Sequence, residues 1–356
     1  MRVVKAGPKA GPNPSVEDVA RLAGVSRGTV SNVLNYPERV IPSKVERVRA
    51  AINELGYVRN DAARALAAGQ SESIGFVVAD IENSLFIDMI HGAQDRAKDA
   101  GRSMLLGNAE CDLGQQNSYL DLFDETRVAG LLLAPMEDSS DGVKRMRSHG
   151  RQIVLLNYDP NDDKCCAVLV DNEMVGYLAA AHLIELGRTH LAYVAGHDSY
   201  QPVHARRVGM RRAVEEAGPA VTLTEVDTAG LLAADGAAYA EDYLALASAD
   251  RPDGVVCVTD DIAHGFITGL LAGSSLRVPE DVAVIGCENN RSVVSGPIAL
   301  TTVVPPGREM GVAASALLFE EIENGDDHVH RTEVFEPTLV GRESTIGRDL
   351  ALAQGR

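Results

Sequence analysis

The sequence predicts an α/β body of two lobes, each a doubly wound parallel sheet, behind a small all-α head. Three observations carry that expectation. From Ser73 onward, short apolar runs alternate with amphipathic helical stretches, the pattern of parallel strands covered on both faces. Those runs are too many for one compact sheet, and the stretch 160–164 is a natural seam between two. Before Ser73, helical periodicity recurs in three short segments separated by turn residues.

The bulk properties set the frame. At 356 residues the chain has room for two or three domains, and 45% hydrophobic with 24% charged residues is ordinary for a soluble protein. No apolar run approaches the ~20 residues of a membrane helix, so no membrane partner is expected. Residues 1–14 read as a loose Pro/Gly/Lys leader without the apolar middle of a secretory signal, which fits a cytoplasmic protein. Cys111, Cys165, Cys166, Cys257 and Cys287 are odd in number and spaced for neither a zinc cage nor a disulfide framework. They are expected to be buried or idle thiols; Cys165 and Cys166 could form a redox pair, although adjacency strains a disulfide. The net charge of −18 is unevenly shared. Residues 1–68 carry 11 Lys/Arg against 6 Asp/Glu, and the remainder carries 22 against 45. A basic head on an acidic body can bind phosphate through the head while the body repels it.

In the head, Ser15 and Asp18 have the spacing of a capping box. A first helix follows to Ala23, with Val19, Ala20, Leu22 and Ala23 on its apolar side. Gly24 ends it and Val25 plugs the turn. Ser26 caps a second helix over 27–34 whose inner face is Val30, Val33 and Leu34. Two closely crossing helices need a small residue at the crossing and a turn residue tolerant of positive φ; Ala20 and Gly24 supply these, as in a helix-turn-helix. Outward on the second helix lie Arg27, Gly28, Ser31 and Asn32, with Thr29 beside them. They suit base edges or phosphates of a major groove, or else form the solvated face of a small bundle. A third helix over 42–55 turns Val45, Val48, Ala51, Ile52 and Leu55 inward and stops at Gly56. Residues 61–69 are Ala-rich and too short for a stable isolated helix, as a segment that folds on binding would be. Its one large apolar residue, Leu66, is either incidental or a wedge for a minor-groove step.

In the stretch from Ser15 to Gly69, SVEDVARLAGVSRGTVSNVLN and ELGYVRNDAARALAAG resemble the head and hinge of the LacI/GalR repressor family. The resemblance continues to about residue 346. It implies a helix-turn-helix DNA-binding domain over 15–60, with contacts from Ser26, Arg27, Gly28, Thr29, Ser31, Asn32 and Asn60. It also implies a hinge helix and linker over 61–72, with Leu66 as the family's wedge at the centre of a pseudo-palindromic operator. Arg27 would pair with guanine and Asn32 with adenine. Gly28 departs from the family, which has a side chain there. Ile41 replaces a capping Ser before Pro42, leaving Ser43 with Glu46 to cap the third helix late.

In the body, the clear strand runs are 74–79, 104–107, 130–134, 153–157, 191–195, 255–258 and 283–287. Helical stretches between them include 86–100, 175–186, 205–217 and 263–271. Ligands of such sheets bind past the carboxyl ends of strands and between lobes. That nominates Asp80, Asn83, Asn108, Glu110, Asn157, residues 197–201, Thr259, Asp260, Asp261, Glu288 and Asn289. The segments VDNEMVGYLAAAHLIELGRTHLAYVAG, ARRVG, VTDDIAHG, VIGCENN, TTVVPPGREMG and LVGRES resemble the same family's periplasmic-binding-protein-like sensor. The resemblance implies effector contacts from Phe86, Asn157, Arg206 and Asp260, to which Glu288 is added as a carboxylate just past a strand end. Arg206 and Asp260 would grip vicinal hydroxyls across the cleft, with Asp261 able to exchange roles with Asp260. Arg206 could instead be a structural pairing residue. Crossings between lobes are expected near Asp171, Ala299 and Phe335, dividing the sensor (73–346, before a tail over 347–356) into 73–170 with 299–334 and 171–298 with 335–346.

No GxGxxG follows a strand, and neither GxxxxGK[ST] nor GxSxG occurs, so no enzyme and no cofactor are expected. His182, His190, His197 and His204 recur at even spacing but fall on separate elements, and no metal site is read from them. The expectation is a homodimeric regulator, a repressor, binding double-stranded operator DNA under control of a small-molecule effector. A carbohydrate is the family's commonest effector; nucleosides and other metabolites also occur. The rival readings are a transporter's solute-binding protein, and a regulator answering to a protein partner.

Overall fold

The computed structural model describes residues 14–57, 71–135, 137–160, 164–291 and 296–353. The chain divides into two compact units, Met1–Gly69 and Gln70–Arg356.

Among its described residues the first unit has three α-helices: α1 (Val16–Ala23), α2 (Arg27–Asn35) and α3 (Pro42–Leu55). The capping box forms: Asp18 N–H donates to Ser15 Oγ at 3.3 Å, and Ser15 N–H donates to Asp18 Oδ2 at 2.9 Å. Gly24 turns with φ +60°, and a Cβ there would lie 2.5 Å from Arg47 Nη2. That guanidinium donates to the carbonyls of Ala23 and Gly24, so α3 clamps the turn. Val19, Ala20, Ala23, Val30, Val33, Val48 and Ala51 form the core. Leu22 is a correction, being 46% exposed rather than part of the packed face. The late cap at Ser43 is another: α3 begins at Pro42 without a side-chain cap, its first turn set by the fixed φ of proline.

The second unit contains two six-stranded sheets. The first has strand order β11-β5-β4-β3-β1-β2. Its strands are β1 (Ser73–Val78), β2 (Ser103–Asn108), β3 (Gly130–Ala134), β4 (Gln152–Leu156), β5 (Cys166–Val170) and β11 (Thr332–Phe335), with every described pairing parallel. Helices α4 (Ser84–Asp99), α5 (Leu113–Glu125), α6 (Ser140–Ser148) and α11 (Gly307–Asn324) belong to this lobe. Phe76 and Val78 pack into one apolar cluster and Val77 into another, so both faces of the sheet are covered.

The second sheet has order β12-β10-β9-β8-β6-β7. Its strands are β6 (His190–Ala195), β7 (Thr222–Asp227), β8 (Gly254–Cys257), β9 (Ala283–Cys287), β10 (Thr301–Val304) and β12 (Thr338–Val340). Only β12 runs antiparallel among the described pairings, at the edge against β10. Its helices are α7 (Asn172–Glu185), α8 (Gln201–Ala217), α9 (Ala233–Ala245) and α10 (Asp260–Gly273). One expected crossing needs correction. Thr301–Val304 still pairs with β9, so the chain returns to the first lobe after Val304 and not near Ala299. β11 and β12 lie in different sheets, so a further crossing follows Phe335.

Helices α7 and α8 meet at backbone contact. A Cβ on Gly176 would lie 1.8 Å from the Arg206 carbonyl oxygen, and one on Gly209 would lie 1.8 Å from that of Glu173. Two glycines facing one another's helix backbones therefore set where Arg206 stands.

Candidate DNA-reading face and interlobe site

In the head, α2 buries Val30 and Val33 and leaves Arg27, Gly28, Ser31 and Asn32 exposed. Ser26 is the N-cap: Thr29 N–H donates to its Oγ at 3.1 Å, and the two hydroxyl oxygens lie 2.9 Å apart. Ser26 and Thr29 therefore fix the start of the helix, while Ser31 Oγ accepts from Asn35 Nδ2 at 3.3 Å. A short polar helix with its N-terminal end uncovered can present side chains to a major groove, its terminal N–H groups complementing phosphate. Asn60 and Leu66 lie outside the described residues.

In the body, the C-terminal ends of the strands converge on a line of hydrogen bonds joining the lobes. Asn157, just past β4, accepts through Oδ1 from Asn172 Nδ2 at 3.0 Å. Asn172 is the first residue of α7, and its Oδ1 accepts from Arg206 Nε at 3.0 Å. Arg206 Nη1 donates to the Val258 carbonyl at 2.6 Å and to Glu288 Oε1 at 3.1 Å. Glu288 Oε2 then accepts from Asn83 Nδ2 at 2.8 Å, returning the line to the N-cap of α4 in the first lobe. Beside it Ser84 Oγ donates to Asn290 Oδ1 and accepts from Arg291 N–H, both at 2.9 Å. Asp159 and Gln201 exchange two further bonds at 2.8 and 3.0 Å.

This line has two marks of a built site. Arg206 is only 2% exposed, and a buried guanidinium persists only when paired. Asn157 and Glu288 hold φ of +53° and +129°, a region non-glycine residues rarely occupy. Burial pushes the Glu288 carboxyl above its ordinary range, more than Arg206 pulls it down. Next to the line, a cleft of about 490 Å³ opens between Asn157, Asp159, Asn172, Asp198, Ser199 and Gln201. Its size suits a small metabolite.

Of the five expected effector residues, Arg206, Glu288 and Asn157 are brought together. Phe86 is buried in the apolar core two residues beyond Ser84. Asp260 has other described partners than Arg206. Its Oδ1 accepts from Thr302 Oγ1 at 2.7 Å and its Oδ2 from Asn290 N–H at 2.6 Å. Burial pushes it up to about 7 against the pull of those two donors. It braces the loop after β9, and the carboxylate opposite Arg206 is that of Glu288. Asp261 does not take that place either; it accepts from Asn290 Nδ2 at 3.1 Å. Asn172 was not among the expected residues, although its position just inside a helix after a strand was a usable signal.

The comparisons with known proteins agree with both units. Residues 15–60 match the profile of bacterial regulatory proteins of the lacI family, and residues 180–345 match a periplasmic binding protein-like domain. The HTH-type transcriptional repressor PurR of Photobacterium profundum is 31% identical over 333 residues, 93% of this chain and 98% of that protein. PurR of Vibrio vulnificus is 33% identical over 335 residues, with the same two coverages. Among solved structures, a complex of the regulator CelR with cellobiose superposes with TM-score 0.69 at 26% identity, covering 93% of this chain and 99% of that one. A LacI-family regulator from Enterococcus faecium with bound ribose gives 0.68 at 27% identity, covering 77% and 98%. The lac repressor dimer bound to operator shares the fold, with TM-score 0.79 at 22% identity over 94% of this chain and all of that one. No described helix is long and apolar enough to cross a membrane. With a helix-turn-helix head, a two-lobed periplasmic-binding-protein-like body and full-length relatives above 30% identity, the chain belongs to the lacI family of bacterial regulatory proteins, DNA-binding transcriptional regulators and not enzymes.

Proposed function

We propose that the chain is a homodimeric repressor whose hold on a pseudo-palindromic operator is set by a small polyhydroxylated metabolite, a sugar, bound between the lobes. The observation that carries this reading is the line Asn157–Asn172–Arg206–Glu288–Asn83, which crosses from lobe to lobe and back through a buried ion pair. Amide, guanidinium and carboxylate groups on one line offer donors and acceptors in the alternation that vicinal hydroxyls require. A ligand entering from the adjoining cleft replaces the Asn157–Asn172 and Asn83–Glu288 contacts with its own and so changes how tightly the lobes are joined. Cellobiose and ribose in two similar regulators support a carbohydrate. On the edge strand β2, Leu105 and Leu106 are 42% and 45% exposed, an apolar edge that a second copy would cover.

The test is a melting-temperature screen of the full chain against mono- and disaccharides, nucleosides and purine bases. A ligand of the native state raises the transition by mass action. The reading expects a sugar to do so in the parent chain and not in Arg206→Met. A base or nucleoside alone acting through the same residues would overturn the sugar assignment, and a ligand that stabilises both proteins equally would overturn the site.

A further inference from the structure

We propose that Cys166, Glu321, His328 and His330 form a zinc-binding site in the first lobe, away from the interlobe line. Cys166 begins β5, Glu321 lies near the end of α11, and His328 and His330 stand two apart in the extended segment leading into β11. Alternation along that segment turns both rings to one side, while Val329 between them is 76% exposed. Their ligand atoms all lie within 4.8 Å of one another. Cys166 Sγ is 3.2 Å from His328 Nε2 and 3.7 Å from His330 Nδ1, and the latter is 3.9 Å from Glu321 Oε1. A tetrahedral zinc ion with one sulfur, two nitrogen and one oxygen ligand spaces such atoms roughly 3.3–3.8 Å apart, so only small side-chain rotations are needed. Thiolate with imidazole selects zinc over magnesium or calcium.

The surroundings fit a cation as well. Glu321 is 3% exposed, yet its Oε2 has no hydrogen-bond partner. The Arg331 N–H points at Cys166 Sγ at 3.4 Å, a donor that suits a thiolate. His328 would bind through Nε2; its buried Nδ1 makes no hydrogen bond and lies 3.6 Å from Glu320 Oε1, within a small rotation of the carboxylate–imidazole pairing that orients metal-bound histidines. One group opposes the ion. Arg147 Nη1 lies 3.4 Å from Glu321 Oε1, and its Nη2 lies 3.1 Å from His330 Nε2. On binding, zinc displaces the thiol proton to solvent, His330 carries its proton on Nε2, and Arg147, whose side chain is 27% exposed, swings outward. One thiolate and one carboxylate then balance the dication. The site would staple the N-terminal ends of β5 and β11, whose far ends lead into two of the crossings between lobes.

The test uses tag-free, reduced, chelator-treated full-length protein titrated with Co(II). One equivalent per chain should give visible tetrahedral bands and a thiolate-to-cobalt charge-transfer band, both removed by equimolar Zn(II). Cys166→Ser should abolish the charge-transfer band and His330→Asn should weaken binding strongly. Glu320→Gln should lower affinity about 10–100-fold, while Arg147→Gln should raise it. Absence of tetrahedral bands in the parent chain at millimolar Co(II) overturns the proposal whatever the variants do. So does a charge-transfer band that survives in a folded Cys166→Ser protein.

Discussion

Replacing Arg206 by Met removes the centre of the interlobe line while keeping most of its volume. The guanidinium donates to Asn172 Oδ1 at the edge of the cleft, to the buried Val258 carbonyl and to Glu288 Oε1, whose side chain is almost wholly buried. With the cation gone, Glu288 keeps only the Asn83 amide as its described partner. Breaking a buried ion pair from one side costs about 3–5 kcal/mol, because the other charge is left uncompensated. Glu288→Gln leaves the buried guanidinium without its counter-charge and is destabilising by the same reasoning. The double variant, Arg206→Met with Glu288→Gln, removes both charges and should lose less than the two single losses added, with a coupling of about 1.5–3 kcal/mol. The assay is urea unfolding followed by circular dichroism, since the chain has no Trp. The transition of the larger unit is fitted separately from that of the head. Single losses below about 1 kcal/mol, or strict additivity, would refute the claim that this pair governs the lobe junction.

Other outcomes are equally specific. Asp260 titrates near 7 when folded and near 3.8 when unfolded. A carboxyl raised on folding adds stability below its unfolded value and loses it as pH climbs to the folded one. Asp260→Asn should therefore gain on the parent chain between about pH 4 and 7, by at most roughly 4 kcal/mol, in paired melting curves; a pH-independent difference would contradict this. Gly176→Ala forces a methyl onto the Arg206 carbonyl and should cost about 1–3 kcal/mol and abolish any effector-induced rise in melting temperature, as calorimetry would show. Asn32→Ala should leave the fold unchanged, because Asn32 is exposed, yet relax preference at one base pair per half-site in a selection from randomised operators. Uniform loss across all sequences would instead make Asn32 a phosphate contact.

The head was legible almost to the residue, because its signals are local: Ser15 with Asp18, Gly24 at the turn, and apolar residues at helical spacing. Apart from the cap of α3, which proline and not Ser43 sets, what escaped there was tertiary. Leu22 fits an apolar helical stripe yet faces out, and the clamp of Arg47 on Gly24 joins residues from different helices. In the body, continuous apolar runs marked four of the six strands of the first sheet and three of the six of the second. Edge strand β7 carries Glu225 and Asp227 and is only partly buried, so it lacked such a run. The crossing after Val304 could not be placed by pattern, since β10 reads the same in either sheet. Arg206 and Glu288 could be nominated from pattern, but that they pair with one another, and that Asp260 is held by Thr302 and Asn290, depends on contacts between distant elements. The cluster around Cys166 was hidden because Cys166 is distant in sequence from Glu321, His328 and His330, and only the pairing of β5 with β11 brings it beside them.

On the function proposed above, the state of the interlobe line governs how the head binds DNA. What decides it is the affinity of the full chain for an operator selected from randomised DNA, with and without the small molecule that raises its melting temperature. Operator affinity should change roughly 5–150-fold with that ligand in the parent chain and stay unchanged by it in Arg206→Met. Equal operator affinity in the parent chain with and without a saturating ligand would contradict it.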